Sequence, residues 1–303
     1  MKIGYIGLGK MGFNMVERLI EKGHAVVVFD KNEEAVRDIS GKGAQAVGSI
    51  QSLTAVLPPP RIVWLMIPYQ AVDQVLQTLV LHLRDGDMVI DGGNSPYKES
   101  MRRSKELAIK GIDFLDVGVS GGPAGARNGA CLMIGGERRL FERFESLFRD
   151  LSVPRGYAYM GESGSGHFVK MVHNGIEYGM MQALAEGFTV MKFSPLRLDL
   201  ARIADLYNHG SVIESRLVGW LKDAFVENGD DLTRISGSVS NSGEGLWTVD
   251  AAKELGIPIP IIEGSLNFRI ESQQRPSYTG QIVSVLRNRF GGHEVFEKER
   301  GGE

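Results

Sequence analysis

The chain opens on an apolar run, KIGYIG, that passes at once through Gly7, Gly9 and Gly12 into the helical pattern of Met11 to Lys22. A strand that turns so directly into a helix cannot bury both faces alone. It needs neighbouring strands and the crossover helices that lead to them. The first half of the sequence supplies them: AVVVFD, IVWLMI, MVIDGG and FLDVGV alternate with amphipathic stretches such as Ala71 to Leu83. This rhythm predicts βαβ units, a mainly parallel sheet and a Rossmann-type α/β dinucleotide-binding domain over residues 1–163. Beyond that point strand signals nearly vanish. Helical patterns run over Gly166 to Met191, Arg197 to Tyr207, Val212 to Val226, Trp247 to Leu255, Ile262 to Gln273 and Gly280 to Phe290. An all-α domain is therefore expected over 164–303, ending in a frayed, charged tail, EKERGGE.

The three glycines form GxGxxG between a strand and a helix, the context in which that string carries meaning. They permit a tight turn and let backbone approach a pyrophosphate, while the helix N-terminus offers N–H groups and partial positive charge. Twenty-three residues after Gly7, Asp30 ends the second strand. A carboxylate there accepts from the adenine ribose hydroxyls and repels a 2′-phosphate, which favours NAD over NADP; the adjacent Lys31 pulls the other way. Two later loops end strands of the same sheet. In DGGNS, Asp91 to Ser95, the glycines are expected to let Asn94 and Ser95 project toward a nicotinamide or substrate. The loop GVSGGPAGARNGA, Gly118 to Ala130, offers backbone N–H groups beside the Ser120 hydroxyl.

Composition narrows the partner. Of 303 residues, 23% are charged with a formal net charge of -3, so the basic surplus of a nucleic-acid binder is missing. The six histidines stand singly, without the spacings of a metal site. The single cysteine, Cys131, rules out an internal disulfide and reads as a packed small residue in a reducing compartment. With no secretory pattern at Met1 and no apolar run long enough for a membrane span, a cytoplasmic protein acting on a small molecule is expected.

The stretch GHFVKMVHNGIEYG, Gly166 to Gly179, reads as a buried helix, with Phe168, Val169, Met171, Val172 and Ile176 around most of it. Lys170, His173, Asn174 and Glu177 interrupt it at i, i+3, i+4 and i+7, one helical face. A buried polar stripe must satisfy itself as a structural network or face something polar. For oxidation of a secondary alcohol, a lysine near the positive helix end, among apolar neighbours, is suited to taking a hydroxyl proton. A carboxylic acid about 10 Å along the same face, Glu177, is suited to returning one.

The sequence resembles the decarboxylating 6-phosphogluconate dehydrogenases, in their short bacterial form. The resemblance is carried by GLGKMGFN (7–14), WLMIP (64–68), DGGNS (91–95), GVSGGPAGARNGACLMIGG (118–136), the stretch 166–179 and RNRFGGH (287–293). It implies Lys170 as catalytic base and Glu177 as catalytic acid. It implies Asn94, Ser120, Gly121, Gly122, His173 and Asn174 as contacts of a sugar acid, and Tyr178, Arg269, Arg287 and His293 as contacts of its phosphate. The last two reach over from a neighbouring subunit in that family, which implies a homodimer or homotetramer. Gly7, Leu8, Gly9, Lys10, Met11, Gly12, Asp30, Met66, Ile67, Pro68 and Asn94 would line NAD or NADP, and no metal is implied. The related β-hydroxyacid dehydrogenases, which do not decarboxylate, usually carry Asn-Asn at 173–174 and a serine/threonine-rich loop at 91–95. A scaffold that kept the fold and lost the chemistry is the remaining alternative; intact Lys170, Asn94 and Glu177 speak against it. One departure stands out: NSGEGLW places Ser242 and Glu244 where the family has a basic residue and a hydroxyl for the phosphate.

Overall fold

A computed structural model describes residues 1–240 and 243–292, so Ser242, His293 and the EKERGGE tail lie outside the described residues. Contacts divide the chain into two units, Met1–Met171 and Val172–Glu303.

The first unit is an eight-stranded sheet with helices between its strands. In chain order these are β1 (Lys2–Ile6), α1 (Lys10–Glu21), β2 (Ala25–Phe29), α2 (Glu33–Ser40), β3 (Gln45–Ala46), α3 (Ile50–Val56), β4 (Ile62–Leu65), α4 (Tyr69–Leu79), β5 (Met88–Asp91), α5 (Tyr97–Ala108), β6 (Asp113–Ser120), α6 (Gly122–Asn128), β7 (Ala130–Gly136), α7 (Arg138–Arg143), α8 (Glu145–Leu151) and β8 (Ser152–Gly161). The sheet order is β3-β2-β1-β4-β5-β6-β7-β8, parallel throughout except for the β6–β7 pair. Chain order reverses at β1, which pairs with both β2 and β4, so a crevice opens at the carboxyl ends of β1 and β4. Each face has its own core: Ile3, Tyr5, Met15, Val16 and Trp64 on one, Ile6, Val27, Leu53, Val63 and Leu65 on the other.

Helix starts follow local chemistry. Asn32 caps α2 by accepting from the Glu34 and Ala35 N–H groups, and Ser49 caps α3 through Ser52. The expected open loop at 118–130 is largely ordered secondary structure: β6 runs on to Ser120 because its ladder with β7 continues to the Ser120–Cys131 pair, and Gly122–Asn128 forms α6. Cys131 is exposed rather than packed, since it points to the sheet face opposite its core-bound neighbours Ala130 and Leu132.

Helix α9 (Ser165–Lys192) starts in the first unit. Its first turns lie so close to the sheet that a Cβ at Gly118 would fall 2.4 Å from Lys170 Cβ, and one at Gly166 2.5 Å from the Met133 carbonyl oxygen. That packing is why the division falls after Met171 rather than ahead of the helix. The second unit holds the rest of α9 with α10 (Leu200–Tyr207), α11 (Arg216–Asn228), α12 (Glu244–Glu254), α13 (Pro260–Ser272) and α14 (Tyr278–Gly291). Asp199, Ser215 and Ser277 cap α10, α11 and α14. Its core gathers Met181, Phe188, Leu221, Phe225, Ile282 and Leu286. The expectation that the apolar residues of 166–179 are buried holds for Met171 but not for Ile176, which is 51% exposed. Lys170 and Asn174, at 8%, are the more enclosed, and the Lys170 stem owes this to Gly118, which lets α9 approach.

Candidate active site

In the first unit, the glycine turn lies at the crevice beside β4. Gly7 has φ +103°, and a Cβ there would fall 2.3 Å from the Met66 carbonyl oxygen; a Cβ at Gly12 would fall 2.0 Å from the Gly7 carbonyl oxygen. Beyond Gly9, at the N-cap of α1, nothing stands within 4 Å of the corresponding point. No side chain caps α1 and its first turn carries no acid, so this exposed helix start fits a pyrophosphate. Asp30 is fixed beside it: Oδ2 accepts from the Leu8 N–H at 2.5 Å and Oδ1 from the Asn32 N–H at 2.7 Å. The Leu8 side chain packs into the core, so only its backbone belongs to the turn. Met66, Ile67 and Pro68 follow β4 directly, with Pro68 at the N-cap of α4. Lys10 is exposed at the first position of α1, and Met11 packs partly against the core.

The DGGNS loop splits its two polar residues. Asn94 is exposed at the carboxyl end of β5, whereas Ser95 is 3% exposed and donates to Asp91 Oδ2 at 2.8 Å. The expected outward Ser95 is thus turned inward by a buried carboxylate that needs donors. Ser120, at the end of β6, is followed by Gly121 (φ +124°) and Gly122 (φ +63°), which lead the backbone into α6. Lys170 reaches this region because its stem lies on Gly118 of the same strand.

Sequence reasoning passed over Asp116, which fixes the start of α9. It is 0% exposed, and its oxygens accept from the Gly164 N–H at 2.7 Å and the His167 N–H at 2.9 Å. Its carboxylate thus satisfies backbone donors at the start of α9, one turn ahead of Lys170. The available signal was an acid inside the apolar run FLDV, which must find buried donors.

In the second unit, His173 Nδ1 lies 3.0 Å from Asn174 Oδ1 and 3.8 Å from Glu177 Oε2. The next residue, Tyr178, is 5% exposed. The Arg269 guanidinium lies over its ring at 3.3 Å from the centroid, and Gly245 of α12 packs so near the ring that a Cβ would fall 2.5 Å from it. Burial pushes the Arg269 guanidinium down to about 10; Tyr178, Glu177 and Glu244 oppose that shift and Arg287 adds to it. Arg287 is also lowered by burial, and its Nη1 donates to Ser240 Oγ at 2.8 Å. Two enclosed cations therefore share one group with Glu177 and Glu244. Among the described residues, the Tyr178 hydroxyl and Arg269 Nη1 are buried without a hydrogen-bond partner. Unmatched buried donors of this kind cost free energy unless something supplies acceptors.

Arg287 sits in this group within its own chain, whereas the resemblance has it arriving from a neighbouring subunit. The cause is α14, whose Ile282, Val283, Val285 and Leu286 are at most 2% exposed and thread the helix through its own unit's core. Among the described residues, no cluster of three or more His, Cys, Asp or Glu is placed to hold a metal ion, and no helix is long and apolar enough to cross a membrane.

Comparison with known proteins agrees with both halves. Residues 2–161 match the family model for the NAD binding domain of 6-phosphogluconate dehydrogenase, and residues 166–298 match that for the 6-phosphogluconate dehydrogenase C-terminal domain. The Bacillus subtilis protein YqeC is 47% identical over 98% of this chain and 100% of its own length. The NAD(+)-dependent, decarboxylating 6-phosphogluconate dehydrogenase of Haloferax volcanii is 41% identical over 99% of this chain and 100% of its own. Among solved structures, Plasmodium falciparum 6-phosphogluconate dehydrogenase superposes with a TM-score of 0.81 at 29% identity, covering 100% of this chain and 67% of that one.

Proposed function

The chain belongs to the 6-phosphogluconate dehydrogenase family, and we propose that it converts 6-phospho-D-gluconate to D-ribulose 5-phosphate and carbon dioxide, with NAD as the preferred oxidant. The observation that carries the substrate is the pair of unmatched donors, Tyr178 Oη and Arg269 Nη1, beside a second buried arginine. A phosphate dianion supplies the oxygens these groups lack and the charge that offsets their desolvation.

The bound dinucleotide supplies an acceptor for hydride. Neutral Lys170 takes the substrate hydroxyl proton as the hydride leaves, and the resulting ammonium donates to the new keto oxygen. That contact stabilises the developing negative charge while carbon dioxide departs and its bonding electrons remain on the substrate. Glu177 then delivers a proton to the carbon that lost carbon dioxide. Asn94, Ser120, Gly121, Gly122, His173 and Asn174 hold the sugar acid, and Tyr178, Arg269, Arg287 and His293 hold the phosphate. Gly7 to Gly12, Asp30, Met66 to Pro68 and Asn94 hold the dinucleotide, whose fit is supported by the uncapped start of α1. The NAD preference is supported by Asp30, anchored at the turn by two backbone donors.

Residues 1–163 serve as the dinucleotide domain and 164–303 as the substrate and oligomerisation domain. A homodimer or dimer of dimers is supported by apolar side chains that the single chain leaves out, among them Val190 (73% exposed), Phe193 (72%) and Leu206 (66%). A cytoplasmic, reducing setting is supported by the lone Cys131, which leaves no internal disulfide to maintain. Steady-state rates on 6-phosphogluconate and on gluconate, with NAD and NADP side by side, test the reading. Turnover only with the phosphorylated acid, and faster with NAD, is expected; equal use of gluconate overturns the phosphate site, and faster turnover with NADP overturns the role of Asp30.

A further inference from the structure

A buried arginine outside every site assigned above joins two of the loops that the proposed reaction uses. Arg103, on α5, is 2% exposed and lies beneath the carboxyl ends of β4 and β5. Its Nη1 donates to Ser95 Oγ at 3.2 Å and, at 3.4 Å, to Oδ2 of Asp91, a carboxylate that is itself 0% exposed. Its Nη2 donates to the Tyr69 carbonyl oxygen at 3.3 Å, in the segment that continues Met66 to Pro68. Its Nε donates to Asp73 Oδ1 at 2.8 Å, one turn along α4. Asp91 completes the arrangement: Oδ1 accepts from the Gly93 N–H at 3.1 Å and Oδ2 from Ser95 Oγ at 2.8 Å. The two loops also touch, since a Cβ at Gly93 would fall 2.7 Å from the Ile67 carbonyl oxygen. Asn94 is thus the exposed residue of a loop whose two flanks, Gly93 and Ser95, are both tied to one carboxylate that Arg103 pairs with.

The guanidinium divides its donors between α4, through Nε and Nη2, and the β5 loop, through Nη1, so the side chain is not interchangeable with a lysine, which offers one point charge. Nothing in the chemistry needs Arg103 itself, because its donors are directed below the loops and the side chain is almost wholly enclosed. We propose that Arg103 is a positioning residue that holds the β4 and β5 loops in one register, so that Asn94 and the Met66–Pro68 segment meet the nicotinamide end of the dinucleotide together. This rests on the dehydrogenase reading. Misplacing a reacting group by about 1 Å costs on the order of 100-fold in rate, which sets the scale of the effect.

The test uses the full chain, with 6-phosphogluconate carrying deuterium at the carbon that loses hydride. Arg103→Lys is expected to lower kcat about 10- to 100-fold while the Kd for the reduced dinucleotide, read by fluorescence, changes less than about 5-fold. The deuterium isotope effect on kcat should rise toward its intrinsic value, because hydride transfer becomes the slow step. Ser95→Ala, which removes the hydroxyl between Asp91 and Arg103 and leaves both charges, should lower kcat about 3- to 10-fold with the same rise in isotope effect. Arg139→Lys is the control: its exposed guanidinium pairs with Asp113 and Glu137, at the amino end of β6 and away from both loops, so kcat and isotope effect should stay at wild-type values. Folded Arg103→Lys with wild-type kcat and isotope effect overturns the proposal. Should that variant fail to fold, wild-type kinetics in Ser95→Ala overturn it equally. A wild-type chain that does not turn over 6-phosphogluconate refutes the dehydrogenase reading instead, and is distinguished by showing no rate in any variant.

Discussion

Tyr178→Phe should make the protein more stable and a worse enzyme, for the same reason. The hydroxyl is buried and makes no hydrogen bond among the described residues, so folding removes it from water without compensation, at a cost of about 1 to 3 kcal/mol. Phenylalanine keeps the ring that Gly245 packs against and that Arg269 covers at 3.3 Å, and it gives up only the oxygen. Stability should rise by about 1 kcal/mol, or roughly 1 to 2 °C in Tm for a chain of this size. With 6-phosphogluconate the hydroxyl gains a phosphate oxygen, so its loss should weaken binding by about 1 to 2 kcal/mol, a 5- to 30-fold rise in KM with kcat nearly unchanged. Calorimetry or thermal fluorescence reads the first effect, steady-state kinetics the second. A fall in Tm would mean that the hydroxyl has a partner in the resting protein. An unchanged KM would mean that the phosphate does not reach Tyr178, and either result refutes the reasoning.

Lys170→Met should keep dinucleotide binding close to normal yet lose at least about 100-fold in kcat, and retention of a tenth of the wild-type rate would remove Lys170 from the role of base. Gly118→Ala places a methyl group where Lys170 Cβ already lies, 2.4 Å away, so it should cost about 1 to 3 kcal/mol of stability and lower activity by shifting α9; a wild-type Tm and rate would contradict the observed packing. Asp30→Ala with a basic residue added nearby should move preference toward NADP, measured as the ratio of kcat/KM values, because it removes a repulsion and adds a phosphate partner.

Much of this arrangement is legible in the chain because its signals are local. Strands β1, β2, β4, β5 and β6 read as apolar runs because a parallel sheet covered on both faces admits few polar side chains, and the exceptions, Asp91 and Asp116, are the ones that need buried donors. The polar stripe of α9 is legible for the opposite reason, since Lys170 and Asn174 interrupt residues that would otherwise pack. Strand β8 was not visible: SVPRGYAYMG carries Pro154, Arg155 and Gly156 and lies at the sheet edge with mostly partial burial, so no apolar run marks it. Helix α6 was hidden by its own glycines, which read as a loop. The inward turn of Ser95 depends on Asp91 and on Arg103, eight residues further on; a pair of arginines in an amphipathic helix reads as solvated surface, and only the fold reveals that one of the two is enclosed. The placement of Arg287 in its own chain likewise depends on how α14 passes through the core, which periodicity alone does not specify.

The central claim is that oxidation and decarboxylation occur together on a phosphorylated sugar acid. The most direct measurement is the ratio of carbon dioxide released to NADH formed when purified protein turns over 6-phosphogluconate carrying a label in its carboxyl group. One carbon dioxide for each NADH is the expected result, with ribulose 5-phosphate as the sole organic product. NADH formed without labelled carbon dioxide, leaving a keto acid that keeps its carboxylate, would contradict the account and assign the chain to simple hydroxyacid oxidation.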